Sequence, residues 1–199
     1  MEMCVSDPGP IVLGTGLVCS VGLSSESACA AIRARVSVAS DTRFRDSSGT
    51  WIRGHNVALE WPLAGLARLA RMAAMSVEEA LAGTPREQWS SIPMLFCFPE
   101  TGRVGRQATL DSALPDLIMR ELDTPPHADS RVIPEGKVSV SVAMQAATEL
   151  LRKAPWVLIV GVDSLLTWPA LRQLDAAARL LSEVNSDCLL YTSPSPRDS

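Results

Sequence analysis

The sequence predicts an α/β layered fold with a mostly parallel mixed sheet and helices on both faces. Three observations carry this. Ile92 to Phe98 (IPMLFCF) and Trp156 to Val160 (WVLIV) are continuous apolar runs without alternation, the pattern of strands buried on both faces. Gly65 to Leu81 places apolar residues at helical spacing, with Arg68, Arg71, Glu78 and Glu79 on the other side. Strand-like and helix-like segments then alternate along most of the chain, which is how layered α/β domains are built.

In chain order, Ile11 to Val18 (IVLGTGLV) follows Pro8-Gly9-Pro10 and reads as a first strand. A helix follows a turn at Gly22, capped by Ser24 or Ser25, with Ala28, Ala31, Ile32 and Arg35 at helical spacing up to Val36. From Ser37 to Ala64 periodicity is lost, and Asp46-Ser47-Ser48-Gly49 and Trp61-Pro62 mark a long surface connection. The amphipathic helix 65–81 and the strand 92–98 come next. A weaker helical pattern over 105–122 is interrupted by Pro115 and stopped by Thr124-Pro125-Pro126. A short strand is expected over 130–134. Gly136-Lys137 then opens a helix running to about Lys153, and its uncharged first half predicts burial on most of its surface despite the alternation of Val138 to Val142. A strand over 156–162 and a helix over Trp168 to Leu181 complete the order.

Composition narrows the function. The chain has 199 residues, 47% of them hydrophobic and 20% charged, enough apolar content for a buried core. A formal net charge of -4, with no Lys/Arg cluster interleaved with aromatics, argues against nucleic acid as a partner. The apolar runs are broken well before the roughly 20 residues of a membrane helix, and Met1 to Pro10 lacks the basic and apolar regions of a leader, so the expectation is a cytoplasmic protein without a membrane segment. Cys4, Cys19, Cys29, Cys97 and Cys188 form no C-x-x-C pair, which fits reduced thiols. His55 and His127 lie far from any cysteine in sequence and read as ordinary polar residues, so no metal or cofactor is expected.

Leu13-Gly14-Thr15-Gly16-Leu17 invites a dinucleotide-binding reading. That reading fails, because Cys19 stands in place of the third glycine, the helix starts late and no acidic residue ends a second strand about 20 residues on.

A different resemblance is carried by several segments in order. IVLGTGLVCSVGLSSESACAAIRARVS, with Gly16 and Gly22 at the matching positions, is similar to the opening of β-ketoacyl-ACP synthases. Ala146-Ala147, Leu150-Leu151 and Trp156 to Ser164 resemble that family's helix and the strand after it. Leu180-Leu181-Ser182 and Asn185-Ser186-Asp187 resemble the approach to its D-G-F-x-x-G-E motif. The resemblance implies the first half of a thiolase fold over residues 1–187, about half of a complete member. It also implies the acyltransferase chemistry of fatty acid or polyketide biosynthesis, with acyl carrier protein or acyl-CoA as partners and a homodimer or ketosynthase heterodimer as the assembly. The chain is similar as well to ketosynthase-like proteins encoded near bacterial secretion or effector genes. Residues 188–199 (CLLYTSPSPRDS) shift to Ser, Pro and charge and resemble a translated sequencing adapter, so they are expected to be a non-native disordered tail.

The family's chemistry uses a cysteine at the N-terminus of a buried helix, where the helix dipole lowers the thiol pKa. Counting back without gaps from Ala146-Ala147 puts that position at Gly136, and no cysteine occurs between Cys97 and Cys188. The family's two catalytic histidines would fall beyond residue 187. Cys97 as a displaced nucleophile is disfavoured, since an apolar strand desolvates a thiolate. Ser139 and Ser141 near the helix start have no visible base and read as small packing residues. No catalytic, cofactor-binding or metal residue is therefore assigned. The expectation is a non-catalytic or divergent ketosynthase-like protein, with an acyl- or carrier-protein-binding accessory subunit as the alternative, paired with an active ketosynthase or a secretion-associated partner.

Overall fold

The computed structural model describes residues 9–180. The expectations for Leu181-Ser182, for Asn185 to Asp187, for Cys4 and Cys188, and for the tail 188–199 lie outside the described residues. Within them the fold is mixed α/β, centred on a three-stranded parallel sheet with helices.

The chain forms α1 (Ser25–Arg33), a hairpin of β1 (Ser40–Arg45) and β2 (Trp51–Gly54), and α2 (Gly65–Ala80). There follow β3 (Met94–Cys97), α3 (Leu110–Glu121), β4 (Arg131–Ile133), α4 (Ser139–Leu150), β5 (Leu158–Gly161) and α5 (Trp168–Ala176). The sheet order is β4-β3-β5, and both pairings are parallel. All four residues of β3 are buried, as its unbroken apolar run requires.

The two faces of β3 divide the core. Met94 and Phe96 join α2 and α3 through Ala74, Val77, Leu114 and Ile118. Leu95 and Cys97 pack on the opposite face against Ala143, Ala146 and Ala147 of α4. Period-two alternation thus puts helices on both sides of the sheet. A third cluster packs Ile52 and Phe44 of the hairpin on Leu171 and Leu174 of α5.

The strand expected over 11–18 does not form. Ile11, Val12 and Leu13 are exposed, and the segment lies along α2 instead of entering the sheet. Side chains on Gly14 and Gly16 would overlap the carbonyls of Ala80 and Ser76, so the glycines allow backbone to rest directly on the helix. The Glu79 carboxylate accepts the Leu17 N–H at 2.9 Å and the Ser25 N–H at 2.6 Å, tying this segment and α1 to α2. A backbone donor held this way is not available to a strand ladder.

The expected long connection 37–64 contains the β1–β2 hairpin. Its turn is fixed by Asp46, whose side chain accepts from the Ser48 and Thr50 N–H groups, each at 2.9 Å. These hydrogen bonds, the Ser48 hydroxyl's first among them, hold the Asp46 carboxyl below the usual range.

The segment after Gly136 is helical, as expected, but begins as a 3-10 turn over Gly136–Val138. Its expected burial on most sides is not found. Ser139, Ala143, Ala146 and Ala147 are buried, whereas Val138, Val140, Val142 and Met144 are exposed. The side chains facing β3 are small, so α4 seats one narrow stripe on the sheet and leaves the valines flanking it uncovered. Pro115 does not end α3, which runs through it. No helix among the described residues is long and apolar enough to cross a membrane.

Candidate functional site

The carboxyl ends of parallel strands are where open α/β sheets place ligands, because the loops there diverge around a crevice. In this chain β3 leads into Phe98-Pro99-Glu100, β4 into Pro134-Glu135-Gly136 and β5 into Val162-Asp163. The exits of β3 and β4 are fastened together. The Gly136 N–H donates to the Phe98 carbonyl at 3.0 Å, and the Phe98 N–H to that of Ile133 at 3.1 Å.

Ser139 completes the fastening. Its buried hydroxyl accepts from the Glu135 N–H at 2.9 Å and sits 2.9 Å from the Ile133 carbonyl and 3.1 Å from that of Phe98. One hydroxyl proton has two carbonyls to choose between, and the oxygen is already an acceptor. Ser139 is committed to holding the α4 entrance against the sheet, while Ser141 is exposed.

Gly136 is in the left-handed region with φ at +57°, and a side chain there would run into the Glu100 carboxylate. That carboxylate therefore stands at the N-terminal end of the α4 segment, an electrostatically favourable place for an anion. Arg103 and Asp163 cross-link the loops after β3 and β5 through both terminal nitrogens of the guanidinium. Its pairing with Asp163 raises the Arg103 pKa further, so the charge is permanent. Arg106 is nearly buried, donating to the Pro99 carbonyl at 3.0 Å and to the Asp111 carboxylate.

Two clefts open beside this edge. One, of about 440 Å³, lies between β1, the start of α2 and the loops after β3 and β5. The other, of about 450 Å³, is bordered by Cys19, Ser20, His55, Met72, Leu165 and Leu174, among others. In it the Ser20 hydroxyl lies 3.4 Å from His55 Nδ1. The fold thus brings Cys19 and His55 to one cleft, a meeting that no spacing between them signals. His127 sits at the other end of the sheet, just before β4, where its Nδ1 accepts from the Asp129 N–H at 3.1 Å.

Cys97 is buried beneath α4, and desolvation pushes its thiol above the ordinary value. Cys29 is exposed and Cys19 half-buried. Among the described residues, no group of three or more His, Cys, Asp or Glu could hold a metal ion.

Sequence reasoning singled out Gly136, Ser139 and Cys97, and the structure brings all three near the meeting of β3, β4 and α4. It missed Glu100, whose relation to Gly136 depends on the pairing of β3 with β4. The hairpin was missed too, although its turn residues and the flanking Arg-Phe-Arg and Trp-Ile-Arg were there to be read. Compared with known proteins, the sequence matches no family model, and no curated protein matches it.

Proposed function

We propose that this chain is a ketosynthase-like protein of the β-ketoacyl-ACP synthase class that does not carry the covalent acyl intermediate, and so is a non-catalytic or divergent member. The observation that supports this most directly is the pairing of Gly136 with Glu100. At the position where the resemblance expects the nucleophile, there is no side chain, and the adjoining space holds a carboxylate.

Covalent loading needs a thiolate exposed at a helix N-terminus. Cys97, the buried described thiol, lies inside the core under α4, where burial favours the neutral form. A cysteine introduced at 136 would still meet Glu100, and a neighbouring carboxylate opposes ionisation of a thiol.

The test is mass spectrometry of the purified 199-residue chain after incubation with an acyl-ACP or acyl-CoA donor, and separately with a cysteine-directed ketosynthase inhibitor. No stoichiometric adduct is expected. One adduct per chain on Cys97, or on a serine near 139, would sink the reading.

A second reading, an accessory subunit that binds an acyl group or carrier protein and pairs with an active ketosynthase or a secretion-associated partner, is favoured by a separate observation. The exposed Val138, Val140, Val142 and Met144 of α4 are apolar surface of the kind that assembly covers. Light scattering of the chain, alone and with candidate ketosynthases, separates a lone monomer from an assembled subunit.

A further inference from the structure

Positive charge on this acidic chain collects in one cleft, the one beside β1. Arg43, Arg68, Arg103 and Arg106 border it, with Asp41 and Asp163 as the opposing carboxylates. Both carboxylates are engaged: Asp163 holds Arg103, and Asp41 lies 3.8 Å from Arg53, which is not part of the lining. Arg106 is matched by Asp111.

Among the described residues, two guanidinium groups of this lining have no carboxylate partner. Arg68 donates to the Asn56 side chain and the Val57 carbonyl, both neutral. Among the described residues, Arg43 makes a stacking contact alone, its guanidinium carbon 5.2 Å from the centre of the Phe44 ring.

Backbone electrostatics add to this. The 16-residue α2 begins at the cleft wall with Ala64 at its cap position, without a capping side chain or an acidic residue in its first turn. α5, whose cap residue is Thr167, likewise has neither a capping side chain nor an acidic residue in its first turn, though Pro169 there supplies no N–H. Helix starts left this way carry unmet N–H donors and partial positive charge.

Among the described residues, two buried side-chain polar atoms have no partner, Arg103 Nε and Thr167 Oγ1, and both residues line this cleft. Such orphans are rare in folded proteins, and each calls for a partner such as an ordered water, an ion or a ligand.

We propose that this cleft binds a phosphate group, as free phosphate or as a small phosphate ester. The assignment stands apart from the ketosynthase reading. Two uncompensated guanidinium charges and two uncapped helix starts suit a dianion with several acceptor oxygens better than a single carboxylate. The cleft is much larger than a phosphate alone, and Phe44, Leu63, Leu69 and Leu166 give it an apolar wall for an organic remainder. The Thr167 hydroxyl now lies inside, against the Gly105 loop, so reaching a bound oxygen requires its side chain to rotate about Cα–Cβ.

The experiment is calorimetric titration of the 199-residue chain in chloride buffer with inorganic phosphate, phenyl phosphate and acetate. Saturable binding of inorganic phosphate to one site is expected, with acetate at least about tenfold weaker, the difference one charge-assisted contact makes. Arg43→Gln removes a charge without a structural hydrogen bond and should weaken phosphate by about tenfold. Thr167→Val should weaken it severalfold without lowering the melting temperature measured in the absence of phosphate, because no existing hydrogen bond is lost. Arg33→Gln, on α1 and outside the cleft lining, should leave affinity unchanged. Tighter binding of phenyl phosphate than of inorganic phosphate would assign the ligand to the esters, and the reverse to free phosphate. Absence of saturable phosphate binding, equal affinity for acetate, or unchanged affinity in folded Arg43→Gln would each overturn the proposal.

Discussion

The Glu100 carboxylate occupies the space into which a side chain at Gly136 would project. The two residues lie in different loops, after β3 and before α4, so their contact reports the parallel register that pairs Cys97 with Ile133. It also sets two separable costs for any substitution at 136, one from the positive φ and one from the displaced carboxylate.

Gly136→Ala should destabilise the chain by about 1–2 kcal/mol from the left-handed backbone alone, with a smaller addition for moving Glu100. Because Glu100 is exposed and can swing away, Glu100→Ala should remove only that addition. Urea unfolding of the two single variants and the double variant gives the coupling directly. Equal stability of Gly136→Ala and the parent chain would show that the strained glycine is misassigned.

Ser139→Ala removes the hydroxyl that bridges the Glu135 N–H to the ends of β3 and β4. The expected loss is about 1 kcal/mol, because the part-buried Glu135 N–H loses its acceptor while the Phe98 and Ile133 carbonyls keep their backbone donors. Hydrogen exchange at the Glu135 amide should accelerate more than exchange at β3 amides. If Ser139 were instead a reactive hydroxyl held for chemistry, its removal would leave that local protection unchanged.

Cys97 makes a pH prediction whose sign is fixed. Burial raises its thiol pKa in the folded chain, so between the unfolded value of about 8.5 and the folded value the unfolded state ionises first. This contribution to stability is complete below about pH 8.5 and is lost as pH rises toward the folded value. Melting temperatures compared from pH 7 to 10 should fall more steeply for the parent chain than for Cys97→Ala, whatever the starting stability of the variant. Parallel slopes would mean that the thiol is not shielded as described.

Where one local pattern settled an element, the sequence was readable. The spacing of Leu66, Leu69, Ala73 and Val77 fixed α2, and the unbroken 92–98 run fixed β3. The residues facing the sheet from α4 were harder, because Val138 to Val142 carry no charge on any side and only the small size of Ser139, Ala143 and Ala147 says which side seats. Residues 11–18 carry strand-forming side chains, yet Gly14, Gly16 and the Glu79 carboxylate 62 positions beyond Leu17 hold the backbone against α2. A contact at that separation leaves no periodic trace. The cleft proposed for phosphate was unreadable for the same reason: its arginines come from β1, α2 and the loop after β3, and no spacing links them in sequence.

Pro115 offers a test of how tertiary packing overrides a local signal. The sequence pattern breaks at Pro115, but α3 continues through it from Leu110 to Glu121. Leu114 and Ile118 on either side of it are fully buried against α2 and β3. Their burial contributes on the order of 2 kcal/mol each, enough to offset the roughly 3 kcal/mol penalty of an interior helical proline. Proline removes a helical N–H that would otherwise donate four residues back, to the carbonyl of Asp111. Pro115 is only half-buried, so alanine there opens no large cavity. Pro115→Ala should therefore stabilise the chain, by up to about 3 kcal/mol, and raise helical ellipticity slightly. Leu114→Ala should cost about 2–5 kcal/mol in the same assay. Unfolding curves for both variants test the packing argument together: a destabilised Pro115→Ala would mean that the ring is needed in the core, and a tolerated Leu114→Ala would mean that the α2–α3 contact does not hold the helix through its break.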